Sequence, residues 1–338
     1  MYIRKEANES EHRTPIIPND IVILIKNNFI IYVEKSNNRI YKDQDYQLNG
    51  AILTEKPWWD NEFKNTLIIG LKDINLNKLH NHKHLYFSHS YKNQFGSQEI
   101  LSQFKNSKSI IYDFEYFLDD SNKRIISFGL FAGINGCILG LLQFINKRLY
   151  NININNLNCW NSKDIILKNI KKNLFLFDKI KIAIIGANGN CGNGVIQILN
   201  CLNIEYTIFY KNTDKSTLKN FDIIYNCITL NENYNEIWFD NSDTFLKPLI
   251  IVDISCDYSK NNNPIKLYNK ATTWENPVYS YNNFVDIIAI NNLPSLLPND
   301  SSDYFSEKCI SLLLNIETDD NKYWEKNHNI FYRNISSL

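Results

Sequence analysis

The sequence predicts an α/β fold of two Rossmann-like domains with a cleft between them, each domain a parallel sheet flanked by helices. Three observations lead to this prediction. The chain has 338 residues, which is long for one ordinary domain and suits two. Short apolar runs alternate with helical stretches in both halves, a rhythm typical of parallel sheets. Near the middle, an apolar strand runs into a glycine-rich turn from which a helix starts.

Composition limits the class of protein without naming an activity. Hydrophobic residues make up 44% and aromatic residues 13%, enough to fill two cores. The 36 basic residues balance the 36 acidic ones, so net charge gives no footprint for nucleic acid or an anionic membrane. The 7 cysteines include no Cys-x-x-Cys pair, which argues against a disulfide framework and a zinc ribbon. Residues 1–13 are charged and carry no apolar signal core, so we expect a cytoplasmic protein.

The first half predicts the strands and helices of a mostly parallel sheet. The run 128–145 is nearly apolar, but Asn135, Gln143 and several glycines interrupt it. About twenty cleaner residues are needed to span a bilayer, so we predict a buried helix here. A helical period covers 19–26, and short apolar runs that indicate strands cover 29–33, 51–53, 67–71, 86–88 and 109–112.

A second α/β unit is predicted after the polar stretch 151–156, which has the composition of a surface loop. The end of the chain predicts helices at 304–316 and 323–334. We expect these helices to pack back on the first half. The strands of the second unit are predicted at 180–185, 206–210, 222–227, 249–254 and 285–290.

The sharpest local signal is the segment 181–199, KIAIIGANGNCGNGVIQIL, which reads as strand, glycine turn and helix. Gly186 allows a tight turn, and Gly192 brings helix and strand together. Gly189 lets the backbone approach a pyrophosphate, which then sits on the helix N-terminus. The spacing G-x-x-G-x-x-G is a variant of the standard fingerprint, so a glycine turn without a ligand stays open as the alternative.

The end of the next predicted strand bears on the choice between NAD and NADP. A site for NAD usually carries an acid there, about twenty residues after the glycine turn, to bind the ribose hydroxyl. This sequence has Tyr210-Lys211-Asn212 instead, with Asp214 shortly after. Because a lysine suits a 2′-phosphate better than a hydroxyl, both cofactors remain possible.

Further motifs lie in the first half and near the end of the chain: Arg4-x-Glu6, Glu11-x-Arg13, IGLKD at 69–73, HSYKNQ at 89–94, YDFE at 112–115, KRIISFGLFAG at 123–133 and NLPSLLP at 292–298. This series resembles the lysine-forming saccharopine dehydrogenases of the α-aminoadipate pathway. The resemblance covers most of the chain, and jointly the motifs are highly specific. Alanine dehydrogenase, the nicotinamide nucleotide transhydrogenase domain and the carboxyethylornithine synthases are wider relatives. The His-x-Tyr-Lys-x-Gln form and the Leu-Pro-Ser-Leu-Leu-Pro stretch favour the saccharopine branch.

The resemblance implies reversible NAD-linked or NADP-linked cleavage of saccharopine into L-lysine and 2-oxoglutarate. Lys72 resembles the base that deprotonates the substrate amine, and His89 the acid/base that activates water. A lysine serves as a base only if burial or nearby positive charge lowers its pKa. Asp73 and Glu115 would moderate the local charge. The resemblance also implies that residues 1–128 with 303–338 form the substrate domain and that 129–302 form the dinucleotide-binding domain.

Further site residues follow from the same resemblance. Arg13 and Arg124 are expected to clamp substrate carboxylates, for which a planar fork is suited. The family commonly has glutamate at 73 and aspartate at 291, where this chain has Asp73 and Asn291. Other expected substrate contacts are Gln94, Phe128, Ser255, Cys256 and Asp257. Expected cofactor contacts are Lys123, Gly186, Gly189, Asn190, Cys191, Gly192, Lys211, Thr229, Ile254, Ile290, Asn291, Asn292 and Leu293.

The remaining histidines, cysteines and functional alternatives complete the expectations. We expect no metal site, and the histidines of His80-x-His82-x-His84 read as exposed residues of a polar loop. Cys191 and Cys227 read as free thiols, with a disulfide switch as the alternative. The functional alternatives are an NADP-dependent synthase joining an amino acid to another 2-oxo acid, or a non-catalytic nucleotide-binding relative. We expect small-molecule substrates, no nucleic acid or membrane partner, and a monomer.

Overall fold

The structure, a computed structural model, describes residues 1–92, 96–210, 213–230, 234–316, 321–336 and 338. It divides the chain into two compact units, Met1–Ser127 with Pro298–Leu338 (unit 1) and Phe128–Leu297 (unit 2). Unit 2 thus begins one residue before the expected boundary, and the chain returns to unit 1 at Pro298 rather than at 303. The second boundary moves because Pro298 opens a helix, as proline suits a first helical turn, and that helix packs within unit 1.

Short strands alternate with helices along both halves of the described chain. The strands are β1 Tyr2–Ile3, β2 Tyr32–Glu34, β3 Ile52–Thr54, β4 Leu67–Ile69, β5 Lys83–Tyr86, β6 Ile110–Asp113, β7 Ile182–Ile185, β8 Thr207–Phe209, β9 Ile223–Asn226, β10 Leu249–Asp253, β11 Tyr279–Ser280 and β12 Val285–Ile288. The α-helices are α1 Pro18–Lys26, α2 Asp43–Leu48, α3 Ser97–Asn106, α4 Gly129–Tyr150, α5 Lys163–Lys171, α6 Asn190–Cys201, α7 Pro298–Leu314 and α8 Lys322–Ser336.

Unit 1 is built on a parallel sheet with the strand order β3-β2-β1-β4-β5-β6. The register aligns Tyr2 with Tyr32 on one side and with Ile68 on the other. Because the order reverses at β1, the carboxyl edge of the sheet around β1 and β4 is the topological switch point where α/β folds place ligands. The segments that follow β1, β4, β5 and β6 all meet at this edge.

The C-terminal helices complete unit 1. Helix α7 packs against α1, and α8 packs against β6 and α3. Phe331 on α8 joins the buried cluster of Tyr86, Leu101 and Phe104. Asn327 on the same helix accepts from the backbone N–H of Asp113 at 3.0 Å and donates to its carbonyl at 2.8 Å. The predicted return of the C-terminal helices to the first half is therefore confirmed.

Unit 2 has the strand order β8-β7-β9-β10-β12-β11, with β11 antiparallel at the edge and the other pairs parallel. Its core includes Ala183, Ile224, Ile251 and Ile287 from four neighbouring strands. The strands read as continuous apolar runs because both faces of a parallel sheet are covered. The predicted α/β class with two Rossmann-type sheets flanked by helices is confirmed.

Helix α4 is the predicted apolar helix. It is long and apolar enough to cross a membrane by length and composition, yet 72% of its most apolar window is buried within the structure. It packs against α6 at two glycines. A Cβ on Gly133 would lie 1.9 Å from the carbonyl oxygen of Cys191, and one on Gly194 would lie 2.1 Å from that of Leu130. The helix is therefore a core helix whose close contact with α6 depends on missing side chains.

Strand β5 corrects two predictions. It covers Lys83–Tyr86, so the predicted strand at 86–88 ends where it was expected to begin. Residues at alternate positions share one face of a strand, which turns His82 and His84 into the interior. Their rings lie 5.2 and 4.7 Å from the ring of Trp58. The expectation that these two histidines are exposed was wrong, and burial lowers the pKa of both.

Candidate active site

Lys72 follows β4 at the carboxyl edge of the unit 1 sheet, where a buried ion pair holds its backbone. Glu6 accepts the N–H of Leu71 at 2.7 Å and the N–H of Lys72 at 3.0 Å. Arg4 pairs with Glu6 at 3.1 Å and donates to the carbonyl of Lys72. Gly70 leaves the room for this, since a Cβ there would lie 2.2 Å from Arg4 Nε. The strand end that carries Lys72 is therefore fixed on both its N–H and C=O sides.

The side chain of Lys72 is half-buried in a charged setting. Burial lowers its pKa, and the guanidinium of Arg13 lowers it further, while Glu11 and Asp73 oppose that shift. Arg13 itself is buried and binds Glu11 with two bonds, Nε to Oε1 at 2.8 Å and Nη2 to Oε2 at 2.6 Å. Burial alone would raise the pKa of Glu11, but Arg13 holds it below its ordinary value. The ammonium of Lys72 thus loses its proton more readily than that of a lysine in water.

His89 follows β5 at the same edge, in a left-handed backbone conformation with φ of 52°. Its ring stacks on Phe87 with centroids 6.2 Å apart, and Nδ1 lies 3.9 Å from Glu115 Oε1. Partial burial lowers the pKa of His89, the Glu115 carboxylate opposes this, and the Lys72 charge adds to the lowering. The lowered pKa favours the neutral imidazole, which is able to take a proton.

Glu115 follows β6 and forms ion pairs with two cationic side chains at this edge. Lys92 Nζ lies 2.8 Å and Arg124 Nη2 lies 3.3 Å from its carboxylate, whose side chain is 11% exposed. Burial would raise the pKa of Glu115, but Arg124 and Lys92 hold it below its ordinary value. Arg124 and Lys123 are exposed, so both reach solvent from this loop. Within unit 1 the structure thus brings together the predicted residues Arg13, Lys72, Asp73, His89, Glu115 and Arg124.

In unit 2 the glycine turn joins β7 to α6. Gly186 has φ of +80°, and a Cβ there would lie 2.8 Å from the carbonyl of Cys227. Gly192 packs helix on turn, since its Cβ would lie 2.5 Å from Ala187. Gly189 caps α6 and faces space, the nearest described atom to its virtual Cβ being 3.9 Å away. A helix N-terminus approached by bare backbone is the arrangement that receives a pyrophosphate.

Beside this turn lies a pocket of about 360 Å³. The ends of β7, β8 and β9 form its floor, and Trp238 and Glu236 form part of a wall. Its position beside the glycine turn and its mixture of aromatic and polar groups fit the adenosine half of a dinucleotide. Thr229, a predicted cofactor contact, also lines it, whereas Lys211 lies outside the described residues.

The predicted substrate contacts of unit 2 follow β10 in an ordered turn. Ser255 Oγ donates to the carbonyl of Ile228 at 2.5 Å. Cys256 is buried at φ of 50°, with its N–H on Asp253 Oδ1 at 3.2 Å and its thiol on the carbonyl of Ala289 at 3.2 Å. Asp257 pairs with Lys260 at 2.8 Å. These hydrogen bonds stabilise the turn. Cys256 is buried and contributes to them, so it supports the conformation of the turn rather than exposing its thiol to solvent.

The remaining predicted residues differ in exposure. Ile254, Ile290 and Leu293 are buried, and a Cβ on Gly136 would lie 2.5 Å from the end of Ile254. Asn291 is exposed, while Asn292, Cys191, Asn190 and Phe128 start or enter helical turns. Gln94 lies outside the described residues.

The cysteines and histidines form neither a disulfide nor a metal cluster among the described residues. All seven cysteines lie within the described residues and none is in a disulfide there, and Cys191 is half-buried. Burial and the adjacent Cys191 thiol raise the pKa of Cys227. In the described ranges no three His, Cys, Asp or Glu side chains are placed to hold a metal ion.

Known proteins place these features in a family. Residues 2–135 match the family described as "Alanine dehydrogenase/PNT, N-terminal domain". Saccharopine dehydrogenase [NAD(+), L-lysine-forming] of Candida glabrata is 31% identical over 93% of this chain and 90% of its own length. The enzyme of that name from Schizosaccharomyces pombe is 30% identical over 95% and 94%. The chain belongs to the L-lysine-forming saccharopine dehydrogenase family. The expected family resemblance is thereby confirmed.

Solved structures outside that family share the fold. An L-alanine dehydrogenase superposes with a TM-score of 0.74 over 98% of this chain and 94% of its own, at 13% sequence identity. The transhydrogenase from Sinorhizobium meliloti gives a TM-score of 0.66 over 95% and 96%, at 14% identity. This chain thus shares its fold with proteins of very different sequence.

Sequence reasoning found the charged residues of the site but missed how they support one another. Arg4, Glu6 and Glu11 entered as motif positions without a role, although each binds the backbone or a charge next to Lys72. Asp113, inside the Tyr112-to-Glu115 motif, also had none. Glu236 carried no signal, because it lies on a loop far from the glycine turn in sequence.

Proposed function

We propose that this member of the saccharopine dehydrogenase family catalyses the NAD-dependent, reversible cleavage of saccharopine to L-lysine and 2-oxoglutarate, in lysine biosynthesis. The observation that carries the proposal is a half-buried Lys72 with a lowered pKa beside His89, at one edge of a parallel sheet. Oxidation of a secondary amine needs a base for the nitrogen and an acid/base for water, and these two residues provide them. The alternative of a synthase for a different 2-oxo acid is not favoured by the relatives, which are L-lysine-forming enzymes.

The proton steps follow from the two side chains. Lys72 Nζ accepts the proton of the substrate's secondary amine as hydride leaves the adjacent carbon of the glutamate part, and a C=N bond forms. The nicotinamide dinucleotide, when bound, supplies the hydride acceptor. His89 then takes a proton from the attacking water and returns it to nitrogen, which gives a carbinolamine. His89 next carries the proton of the carbinol hydroxyl to the nitrogen, so that the C–N bond breaks as the C=O bond forms. The nitrogen leaves with lysine, and the carbon becomes the carbonyl of 2-oxoglutarate.

The two units divide the work in this proposal. Unit 1 holds the substrate and its acid/base groups, and the exposed guanidinium of Arg124 binds a substrate carboxylate. Buried Arg13, already paired with Glu11, lowers the pKa of Lys72. Unit 2 binds the dinucleotide, with the pyrophosphate at Gly189 and the start of α6. Gly186, Asn190, Cys191, Gly192, Thr229, Ile254, Ile290, Asn291, Asn292 and Leu293 are the proposed cofactor contacts on this unit.

We propose NAD rather than NADP as the preferred cofactor because of Glu236. This carboxylate lines the pocket beside the glycine turn, as does Tyr210, which directly follows β8. Lys215 pairs with it at 2.5 Å and lies 5.0 Å from the ring centroid of Trp238, which holds the carboxylate in place. In this position Glu236 replaces the acid missing after β8, accepts the ribose hydroxyls and repels a 2′-phosphate.

Binding measurements test this preference. Calorimetry with ADP-ribose and its 2′-phosphate should give tighter binding of the unphosphorylated ligand. Glu236→Gln should narrow that ratio about tenfold, the size of one lost hydrogen bond to a charged group. Glu205→Gln, an exposed acid before β8, should leave the ratio unchanged. Equal ratios in the wild type and Glu236→Gln would assign the preference to other residues.

The activity itself is tested by products. Incubation with saccharopine and NAD should yield L-lysine, 2-oxoglutarate and reduced dinucleotide in equal amounts. Dinucleotide binding without any of these products would overturn the proposed reaction.

We also propose a cytoplasmic monomer, since free thiols suit a reducing compartment.

A further inference from the structure

His89 stands in a backbone conformation that an L-amino acid avoids. Most non-glycine residues with positive φ among the described ones are asparagines in turns, for which this region is tolerable. His89, with φ of 52°, adopts the same region, which histidine also occupies more often than most residues but which still costs free energy. Such a residue keeps its conformation only where the surrounding structure determines it, and it is found at functional sites more often than elsewhere. The groups that hold His89 therefore bear on its function.

One buried carboxylate holds the turn around His89. Asp113 Oδ2 accepts the hydroxyl of Ser88 at 2.6 Å and the N–H of Ser88 at 3.2 Å. The Ser88 hydroxyl in turn lies 2.7 Å from Ser90 Oγ and accepts the N–H of Ser90 at 3.3 Å. The two serines that flank His89 are buried, with 1% and 2% exposure. The backbone on either side of the histidine is therefore tied to Asp113.

The second oxygen of the same carboxylate holds the partner of His89. Asp113 Oδ1 accepts the N–H of Glu115 at 2.8 Å. The Glu115 carboxylate is the group that lies 3.9 Å from His89 Nδ1. Asp113 is itself fully buried, and Asn327 binds both its N–H and its C=O. A single immobile carboxylate thus fixes both ends of the His89–Glu115 contact.

We propose that Asp113 is a positioning residue for His89, acting through Ser88 on one oxygen and through Glu115 on the other. The inference rests on the proposed function of His89 as the acid/base. Three donors converge on the two carboxyl oxygens, and an amide cannot replace this group, because it offers one acceptor oxygen and one NH₂ donor. Asp113→Asn therefore has to break the hydrogen bonds of one oxygen, those to Ser88 or that to Glu115, while it keeps nearly the same side-chain volume.

Two variants and a control separate positioning from general loss of stability. Asp113→Asn disturbs the hydrogen bonds to Ser88, the bond to Glu115, or both. Of these bonds to Asp113, Ser88→Ala removes only the one from the Ser88 hydroxyl. As the control, Ser306→Ala removes another fully buried serine of unit 1, whose hydroxyl bonds Asp20 and accepts the N–H of Ile17 near the α1–α7 contact. The readouts are kcat and KM for saccharopine, dinucleotide affinity by calorimetry, and the titration of the His89 ring by NMR of ¹³C-labelled histidine.

We expect Asp113→Asn and Ser88→Ala to lower kcat about tenfold to a hundredfold, with KM and dinucleotide affinity changed less than about threefold. The His89 ring signal should shift and titrate at a different pH in both variants. Ser306→Ala should lower the melting temperature, because it leaves the N–H of Ile17 without its acceptor, but it should keep kcat. Unchanged kcat and unchanged His89 titration in both variants would overturn the proposal, and so would an equal loss of kcat in Ser306→Ala. If the wild type shows no saccharopine turnover, the proposed function fails, while the His89 titration still decides whether Asp113 positions the ring.

Discussion

The charges around Lys72 set the pH at which this residue accepts a proton. Burial and Arg13 favour the neutral amine, and the carboxylates of Glu11, Asp73 and Glu6 favour the ammonium. Asp73 differs from the others because it is exposed and holds no buried partner in place. It is therefore the position where charge changes with the least disturbance of the fold.

Asp73→Asn should move the acid limb of saccharopine oxidation to lower pH. The carboxylate raises the pKa of Lys72, so its removal lowers that pKa, and the base stays deprotonated at a lower pH. The measurement is kcat/KM against pH. Glu99→Gln, an exposed acid on α3, should leave the limb in place. A limb that moves to higher pH in Asp73→Asn contradicts Lys72 as the titrating base.

At this scale the sequence predicted which residues carry charge but not how they pair. Arg13 was expected as a substrate clamp, yet its fork is already bound by Glu11 two residues away. His89 was expected for its chemistry, whereas its left-handed backbone depends on Ser88 and Asp113, which no spacing rule connects. Such pairings depend on tertiary contacts that adjacent sequence does not encode.

At the scale of elements, the α4–α6 contact and the glycine turn make opposite demands on their glycines. Backbone atoms of α4 surround Gly194, and a Cβ added there would lie 2.1 Å from the carbonyl oxygen of Leu130. Gly189 faces open space on the same helix, and its φ of −86° suits any residue. One glycine is needed for packing and the other for the approach of a ligand.

A pair of alanine variants separates these roles. Gly194→Ala should lower the free energy of unfolding by about 1–3 kcal/mol, because backbone on α4 has to move. Gly189→Ala should keep the melting temperature and weaken dinucleotide binding by about tenfold, since its methyl group stands where the pyrophosphate approaches. Urea unfolding and calorimetry give both numbers. A large stability loss in Gly189→Ala would show that the turn has no free space.

Element prediction succeeded where apolar runs were long and failed where elements were short. The helix α4 and the strands of unit 2 lie within a few residues of their predicted bounds. The sequence did not predict β1, β11, α2, α3 or α5, because two-residue strands and polar helices carry little periodicity. Pairing in a sheet, rather than local pattern, defines β1 between β2 and β4.

At the scale of the whole molecule, the oxidation state of the cysteines tests the proposed compartment. The non-reduced protein should show Cys191 and Cys227 both alkylated by a thiol reagent after unfolding, as expected of free thiols. Mass spectrometry of the peptides makes this measurement. A mass two hydrogens short on a linked peptide would instead show a disulfide between them.

The proposed monomer has an equally direct measurement. Light scattering after size-exclusion chromatography should give a single species of 39.7 kDa. The same value should hold with dinucleotide present. A species of twice that mass at micromolar concentration would replace the monomer in the proposal.

The most direct test of the proposed activity compares the wild type with Lys72→Met. The methionine keeps the length of the side chain and removes the base. We expect the wild type to form reduced dinucleotide from saccharopine and NAD, and Lys72→Met to lose about a hundredfold or more of that rate while its dinucleotide affinity stays the same. Lys72→Met with full activity would contradict the assignment of Lys72, and a wild type without turnover would contradict the proposed reaction.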